Sequence, residues 1–96
     1  MGLGPSREAM DGGGLPAGRN AALTALFAAH YRGLVGLARL LVNDQAGAED
    51  VVQDAFLALS RRWGRLRDPV AAHAYLQRSV VNGARSRLRR SYARQR

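Results

Sequence analysis

The chain has 96 residues, no cysteine, and 15 basic residues against seven acidic ones, for a formal net charge of +8. That length allows one small domain, and without cysteine neither a disulfide framework nor a thiolate metal site can supplement its core. All the basic residues are arginine, which suits phosphate and carboxylate geometry but also follows from GC-rich codon usage, so the distribution of charge says more than its kind.

Residues 1–39 carry four arginines against Glu8 and Asp11, residues 40–60 carry four carboxylates and no base, and residues 61–96 carry eleven arginines against Asp68 alone. An acidic middle followed by a basic end points to two partners of opposite charge. No run approaches the ~20 apolar residues that span a bilayer. Met1–Gly18, with six glycines and two prolines, has no apolar run behind a basic start. These features predict a cytoplasmic protein with no membrane partner.

Residues 1–19 are Gly-rich and aperiodic, which predicts a flexible tail that cannot offset its ordering entropy. From Asn20 the apolar residues Leu23, Leu26, Phe27, Tyr31, Leu34, Leu37, Ala38, Leu41 and Val42 recur at helical spacing, with Asn20 or Thr24 as the cap and Asn43-Asp44 as the following turn. Gly33 and Gly36 each cost this helix about 1 kcal/mol relative to Ala, and a close helix contact is one reason to tolerate them.

A second helix follows, capped by Asp44, irregular near Gly47 and amphipathic from Ala48 to about Trp63. Its apolar stripe is Val51, Val52, Ala55, Phe56, Leu59 and Trp63. Glu49, Asp50, Gln53 and Asp54 project from the other side as one acidic patch, since Glu49 to Gln53 and Asp50 to Asp54 are spaced by one turn. The helix dipole accounts for Glu49 and Asp50 near the N-terminus, less well for Asp54.

Residues 64–68 read as a loop, and Asp68-Pro69 is a strong helix start because a carboxylate caps free amides and proline fits the first turn. The third helix should run to roughly Arg90, burying Ala72, Leu76, Val80, Ala84 and Leu88 while Arg78, Asn82, Arg85 and Arg89 fall on other faces. The last residues, SYARQR, have no apolar face and should fray.

No catalytic set, cofactor site or metal site is legible. His30 and His73 show no paired spacing. His30 reads as a packed or partly exposed core histidine and His73 as a solvent-facing one. Gly12–Gly14 precede no strand, so they form no phosphate loop. The acidic quartet comes from one element, whereas metal clusters draw ligands from several. What remains is surface chemistry: the C-terminal arginines, interleaved with Trp63, His73, Tyr75 and Tyr92, combine phosphate contacts with rings on which unpaired bases can stack. Trp63 reads better as core, and Tyr75, beside the buried Leu76, fits either role. Asn82 is a poor helix former whose amide offers the donor and acceptor that reading a base edge requires.

The order of an apolar helix, then AEDVVQDAFLALSRRW, then RLRDPVAAHAYLQRSVVNGARSRLRR closely resembles region 2 of the sigma-70 family, in its compact extracytoplasmic-function group, over about Leu26 to Arg90. The resemblance implies an all-α fold, a compact bundle of three main helices behind a disordered N-terminal tail. It also implies a module that docks on core RNA polymerase and binds and melts the promoter minus-ten element. Asp50, Gln53 and Asp54, with Glu49 nearby, would meet the basic clamp helices of the largest polymerase subunit.

The loop and first turns of the third helix, from Arg65 through Arg67 and Asp68 to Ala72, would capture a flipped base of the non-template strand. His73 and Tyr75 are ring candidates beside it. Asn82 stands at the family's Asn position, and Arg78, Arg85, Arg87 and Arg89 would hold the backbone. Melting by such a module is capture of a minor state, in which a base already out of the stack is bound preferentially.

The sequence departs from the family at Gly83, where a larger apolar residue is frequent, and at Gln77, where an aromatic is. The helix-turn-helix domain of full-length members is expected to be absent after Arg96. The alternatives are a helical module covered by an anti-sigma regulator on the same acidic and apolar surfaces, and a basic nucleic-acid binder without sequence preference.

Overall fold

The computed structural model describes residues 15–64 and 68–95. They form three helices: α1 (Leu15–Arg39), α2 (Gln45–Arg61) and α3 (Pro69–Gln95). Each helix packs against both others, as the all-α three-helix expectation required. Of the tail assigned to residues 1–19, Leu15 to Arg19 instead begin α1, and residues 1–14 lie outside the described residues, as do Arg65 and Arg67 of the second loop.

Helix boundaries differ from the sequence reading in three places. Helix α1 starts at Leu15, so Asn20 and Thr24 are interior residues rather than caps. It ends at Arg39, and Leu40 to Asp44 form the turn. Here the Leu41 and Val42 amides donate to the Ala38 carbonyl at 2.9 Å each, tightening the chain toward α2. Helix α3 continues to Gln95 through the segment expected to fray. Lone-helix propensity misjudges such ends, because continuity with a packed helix supplies the nucleation that an isolated turn lacks.

The two capping assignments hold. The Gly47 amide donates to Asp44 Oδ2 at 2.8 Å, and α2 runs without interruption through Gly47. The Ala71 amide donates to Asp68 Oδ2 at 2.9 Å behind Pro69.

The core is built from small and medium side chains. Ala38, Ala48, Ala55, Ala72 and Ala84 are buried at the helix contacts, and the largest side chains fully enclosed are Leu59, Leu76, Val52 and Val80. Alanine at contact positions lets helix axes approach closely while the leucines fill the centre. No polar or charged residue is buried among the described residues. Four of the five residues expected inside α3 are there; Leu88 is 38% exposed. In α1, Val35 is an unanticipated core residue, and Phe27 is 42% exposed.

Gly33 and Gly36 face open space, with nothing within 4 Å of an added Cβ, so no helix contact explains them. The close contacts lie at Gly47 and Gly83 instead. A Cβ on Gly83 would stand 3.3 Å from Val51 Cγ1, which brings α2 tightly against α3. The frequent larger residue at position 83 would have to move Val51.

One expectation about α1 is corrected. The segment Gly18–Arg39, 22 residues, is long and apolar enough to cross a membrane by length and composition. Its apolarity arises from alanine and glycine on the outward side as well as core residues: Leu26, Leu34, Val35 and Ala38 are buried against α2 and α3, while Ala25, Ala28, Ala29, Gly33 and Gly36 are exposed beside Arg32.

His73 is also placed differently. It is half-buried and stacks on His30 of α1, with ring centroids 3.8 Å apart and planes 12° from parallel. Burial, and then the neighbouring charge of His73, hold the His30 pKa below its ordinary value of 6.5. The unfolded chain therefore binds more protons below that pH, so the stability contribution is full above about 6.5 and declines as pH falls toward the lowered folded value.

Two outcomes follow from this packing. Gly33→Ala and Gly36→Ala should each raise stability by about 1 kcal/mol in urea unfolding, because helix propensity improves with no contact disturbed. The urea midpoint of the native chain should drop between pH 7.5 and 5.5, and His30→Gln should flatten that drop. Equal pH dependence in both chains would remove the histidine pair as its source.

Candidate functional surfaces

The exposed crest of α2 consists of Asp50, Gln53, Asp54 and Leu57, one turn apart along the helix. Its acidic members stand as the sequence placed them, with one exception. Glu49 is half-buried and engaged: Arg39 Nη1 donates to Gln45 Oε1 at 2.7 Å, and Gln45 Nε2 donates to Glu49 Oε2 at 2.8 Å. This chain bridges the end of α1 and the first turns of α2, so Glu49 fixes the crest's base. Leu57, 55% exposed, is the crest residue that the sequence reading missed. The signal was present, because Leu57 lies outside the stripe of Val51, Val52, Ala55 and Leu59.

Two grooves flank the crest. On the α1 side, Leu23, Phe27, Phe56 and Leu57 line an apolar groove of about 450 Å³ with Gln53 at its edge. Phe27 stacks on Tyr31 at 4.4 Å and meets Phe56 at 5.1 Å, so an aromatic cluster forms its floor.

On the α3 side, a polar groove of about 330 Å³ brings Asp50 and Asp54 into one lining with Asn82, Gly83, Arg87 and Arg90. Ala58, on its wall, also lines a third groove of about 590 Å³ with Arg61, Arg62, Gly64 and Tyr75. The two grooves thus follow one another along the α2/α3 seam.

The third groove sits where the loop enters α3. The Arg62 and Trp63 amides donate to the Leu59 carbonyl at 3.0 Å and the Ser60 carbonyl at 3.4 Å, which carries the chain one turn past α2. Trp63 is half-buried against the core, as its core assignment required. Arg62 is held with its guanidinium carbon 5.8 Å from the Tyr75 ring centroid, within cation–π reach. Tyr75 is half-buried, with its ring between core and groove, so both of its sequence readings apply. Arg61, the last residue of α2, and Arg62, its cap, were not among the nucleic-acid candidates of the sequence, which began at Arg65.

The expected nucleic-acid residues separate into groups. Tyr75, Arg78, Asn82, Arg85 and Arg89 follow three- and four-residue steps and form one strip along α3, with all but Tyr75 exposed. Arg89 Nη2 donates to Ser86 Oγ at 3.2 Å, which aligns its side chain along the helix. Asp68 is exposed and engaged in capping α3. His73 turns the other way, onto α1. Arg87 is half-buried near the start of α2, with its Nε 2.7 Å and Asp44 Oδ1 2.8 Å from where a Gly47 Cβ would stand. Among the described residues no three His, Cys, Asp or Glu side chains gather as a metal site.

The family model for sigma-70 region 2 matches residues 26–94, all of α2 and most of α1 and α3. Two curated proteins, each named ECF RNA polymerase sigma factor SigM, from Mycobacterium tuberculosis strains Erdman and H37Rv, are 42% identical to the chain over 77 residues. The alignment covers 80% of this chain and 39% of each relative, so the chain spans well under half the length of the curated relatives it matches. Among solved structures there is no significant match.

Proposed function

This chain belongs to the sigma-70 family, as its region 2 and within the extracytoplasmic-function group, and from that membership we propose that it docks on core RNA polymerase and melts the promoter minus-ten element. It acts by binding and carries out no covalent chemistry, working in the cytoplasm where the polymerase is.

One observation supports the reading most: the α2/α3 seam separates an acidic crest from a basic strip while keeping both on a single rigid pair of helices. In this reading Asp50, Gln53, Asp54 and Leu57 meet the clamp helices of the largest polymerase subunit. Carboxylates attract a basic helix and steer its approach, while Leu57 and the adjoining aromatic groove supply the apolar area from which most affinity comes.

The DNA function falls to the other side of the seam. A base leaving the stack of the non-template strand enters the groove between Arg62 and Tyr75, where ring and guanidinium offer planar faces to any base. Asn82, two strip positions beyond Tyr75, supplies the paired donor and acceptor that discriminate a base edge. Arg78, Arg85 and Arg89 hold the phosphates and give the binding its salt dependence. The aromatic groove beside the crest also favours a second reading, in which an anti-sigma regulator covers Phe27 and Leu57 and thereby blocks the same docking face.

Reversing the crest charge tests the assignment. Asp50→Arg/Asp54→Arg should weaken association with core polymerase about a hundredfold, since like charges across an interface cost several kcal/mol. It should leave the binding of single-stranded DNA undiminished. Pull-down with core enzyme and anisotropy with a minus-ten oligonucleotide measure the two; undiminished polymerase binding would place the docking face elsewhere.

A further inference from the structure

We propose that the groove between Arg61, Arg62 and Tyr75 takes a free nucleoside diphosphate as well as a base of the promoter strand, so that the nucleotide competes with DNA for it. The competition rests on the reading of this groove as the pocket for a flipped base; the nucleotide site does not.

Charge sets this groove apart. The groove beside Phe27 and Phe56 is lined by no charged residue, and the one along the α2/α3 seam mixes Arg87 and Arg90 with Asp50 and Asp54. The third has Arg61 and Arg62 on its wall and no carboxylate among its described lining residues. Consecutive residues of a helix project about 100° apart. Both arginines reach one groove because α2 ends at Arg61, and Arg62 leaves helical geometry at φ −107°, ψ 16°. The negative end of α2 opposes an anion there with about half a charge, against a whole charge on each arginine. Two of its free carbonyls, those of Leu59 and Ser60, are also taken by the Arg62 and Trp63 amides. Asp68, the nearest carboxylate along the chain, caps α3 through the Ala71 amide.

Tyr75 supplies the other half of the site. Its half-buried ring is anchored against the core and presents its free side to the groove. The Arg62 guanidinium carbon stands 5.8 Å from the ring centroid. A base between them needs two stacking intervals of about 3.4 Å, so the exposed Arg62 side chain moves outward by about 1 Å. The groove measures about 590 Å³, within the ~300–1,000 Å³ of small-molecule sites, which leaves room for sugar and phosphates beside a stacked base.

A strand uses these groups less fully. Its phosphates lie to either side of a flipped nucleoside as singly charged diesters. A nucleoside diphosphate gathers its charge at one end, where two guanidinium forks grip the terminal oxygens. The pair of arginines beside one ring therefore matches the free nucleotide better than a base held in its chain. Nucleotide bound there excludes the flipped base, and promoter binding falls as the nucleotide concentration rises.

Equilibrium dialysis of ADP against the whole 96-residue chain at low salt tests the site, with inorganic pyrophosphate and adenosine as separate probes. ADP should saturate a single site and bind about tenfold more tightly than either, because it alone engages both ring and arginines. Tyr75→Leu should weaken ADP about tenfold, as expected for the loss of one base–ring stack, and leave pyrophosphate unchanged. Arg61→Gln should weaken both ligands, whereas Arg32→Gln, at an exposed position on α1, should change neither. Circular dichroism verifies helicity in each variant, and the exposed Arg61→Gln decides the outcome should Tyr75→Leu unfold the chain. Pyrophosphate binding as tight as that of ADP, or equal losses from Arg32→Gln and Arg61→Gln, would reduce the effect to anion attraction by a basic chain and overturn the proposal. ADP should also displace a fluorescent minus-ten oligonucleotide at concentrations near its own dissociation constant. ADP that binds without displacing the strand overturns the competition, and with it the base-pocket reading. An absence of saturable ADP binding overturns the site whatever the strand does.

Discussion

The antiparallel packing of α2 on α3, closed at the point where Val51 lies over Gly83, is the constraint on which the functional surfaces depend. A Cβ at position 83 would stand 3.3 Å from Val51 Cγ1, and Val51 would have to give way by a few tenths of an ångström. Along this seam Asp50 and Asp54 share a groove with Asn82 and Arg90, and Arg87 lies near Gly47. The alanines at the other contacts do the same for α1. A core of this kind contributes less apolar area than one of leucines, but it fixes distances between surface groups closely, because small side chains leave few alternative packings.

Much of this could be read from the residues. The stripe of Val51, Val52, Ala55 and Leu59, the caps at Asp44 and Asp68, and the burial of Ala72, Leu76, Val80 and Ala84 follow from helical spacing and capping chemistry, which are local. What spacing could not supply was the rotation of one helix against another. His73 and Arg87 carry the same residue types as a DNA-binding face, yet they lie on the sides of α3 that meet α1 and the start of α2. Gly33 and Gly36 looked like packing glycines but face open space, and Gly83, read as a departure from the family, lies close against Val51. The acidic quartet was legible as a patch, but the tie of Glu49 to Gln45 and Arg39 needed the turn between α1 and α2.

The charge asymmetry of the sequence acquires a spatial form. The carboxylates concentrate on α2 and the arginines on the loop and α3, and the hairpin folds one against the other along a shared trough. A molecule with this arrangement suits two macromolecules of opposite charge held side by side, with basic protein on the crest and an unpaired strand on the strip. In the proposed reading the apolar groove at Phe27 and Phe56 would give the protein side a hydrophobic contribution, and the Arg62–Tyr75 groove would give the nucleic-acid side a place for a base.

Site-specific photo-crosslinking in the assembled complex of this chain, core polymerase and a melted promoter tests that division most directly. A photoreactive residue at Gln53, on the crest, should capture the largest polymerase subunit, and one at Arg78, on the strip, should capture the non-template strand. Capture of DNA from Gln53, or of polymerase alone from Arg78, would contradict the assignment of the two faces.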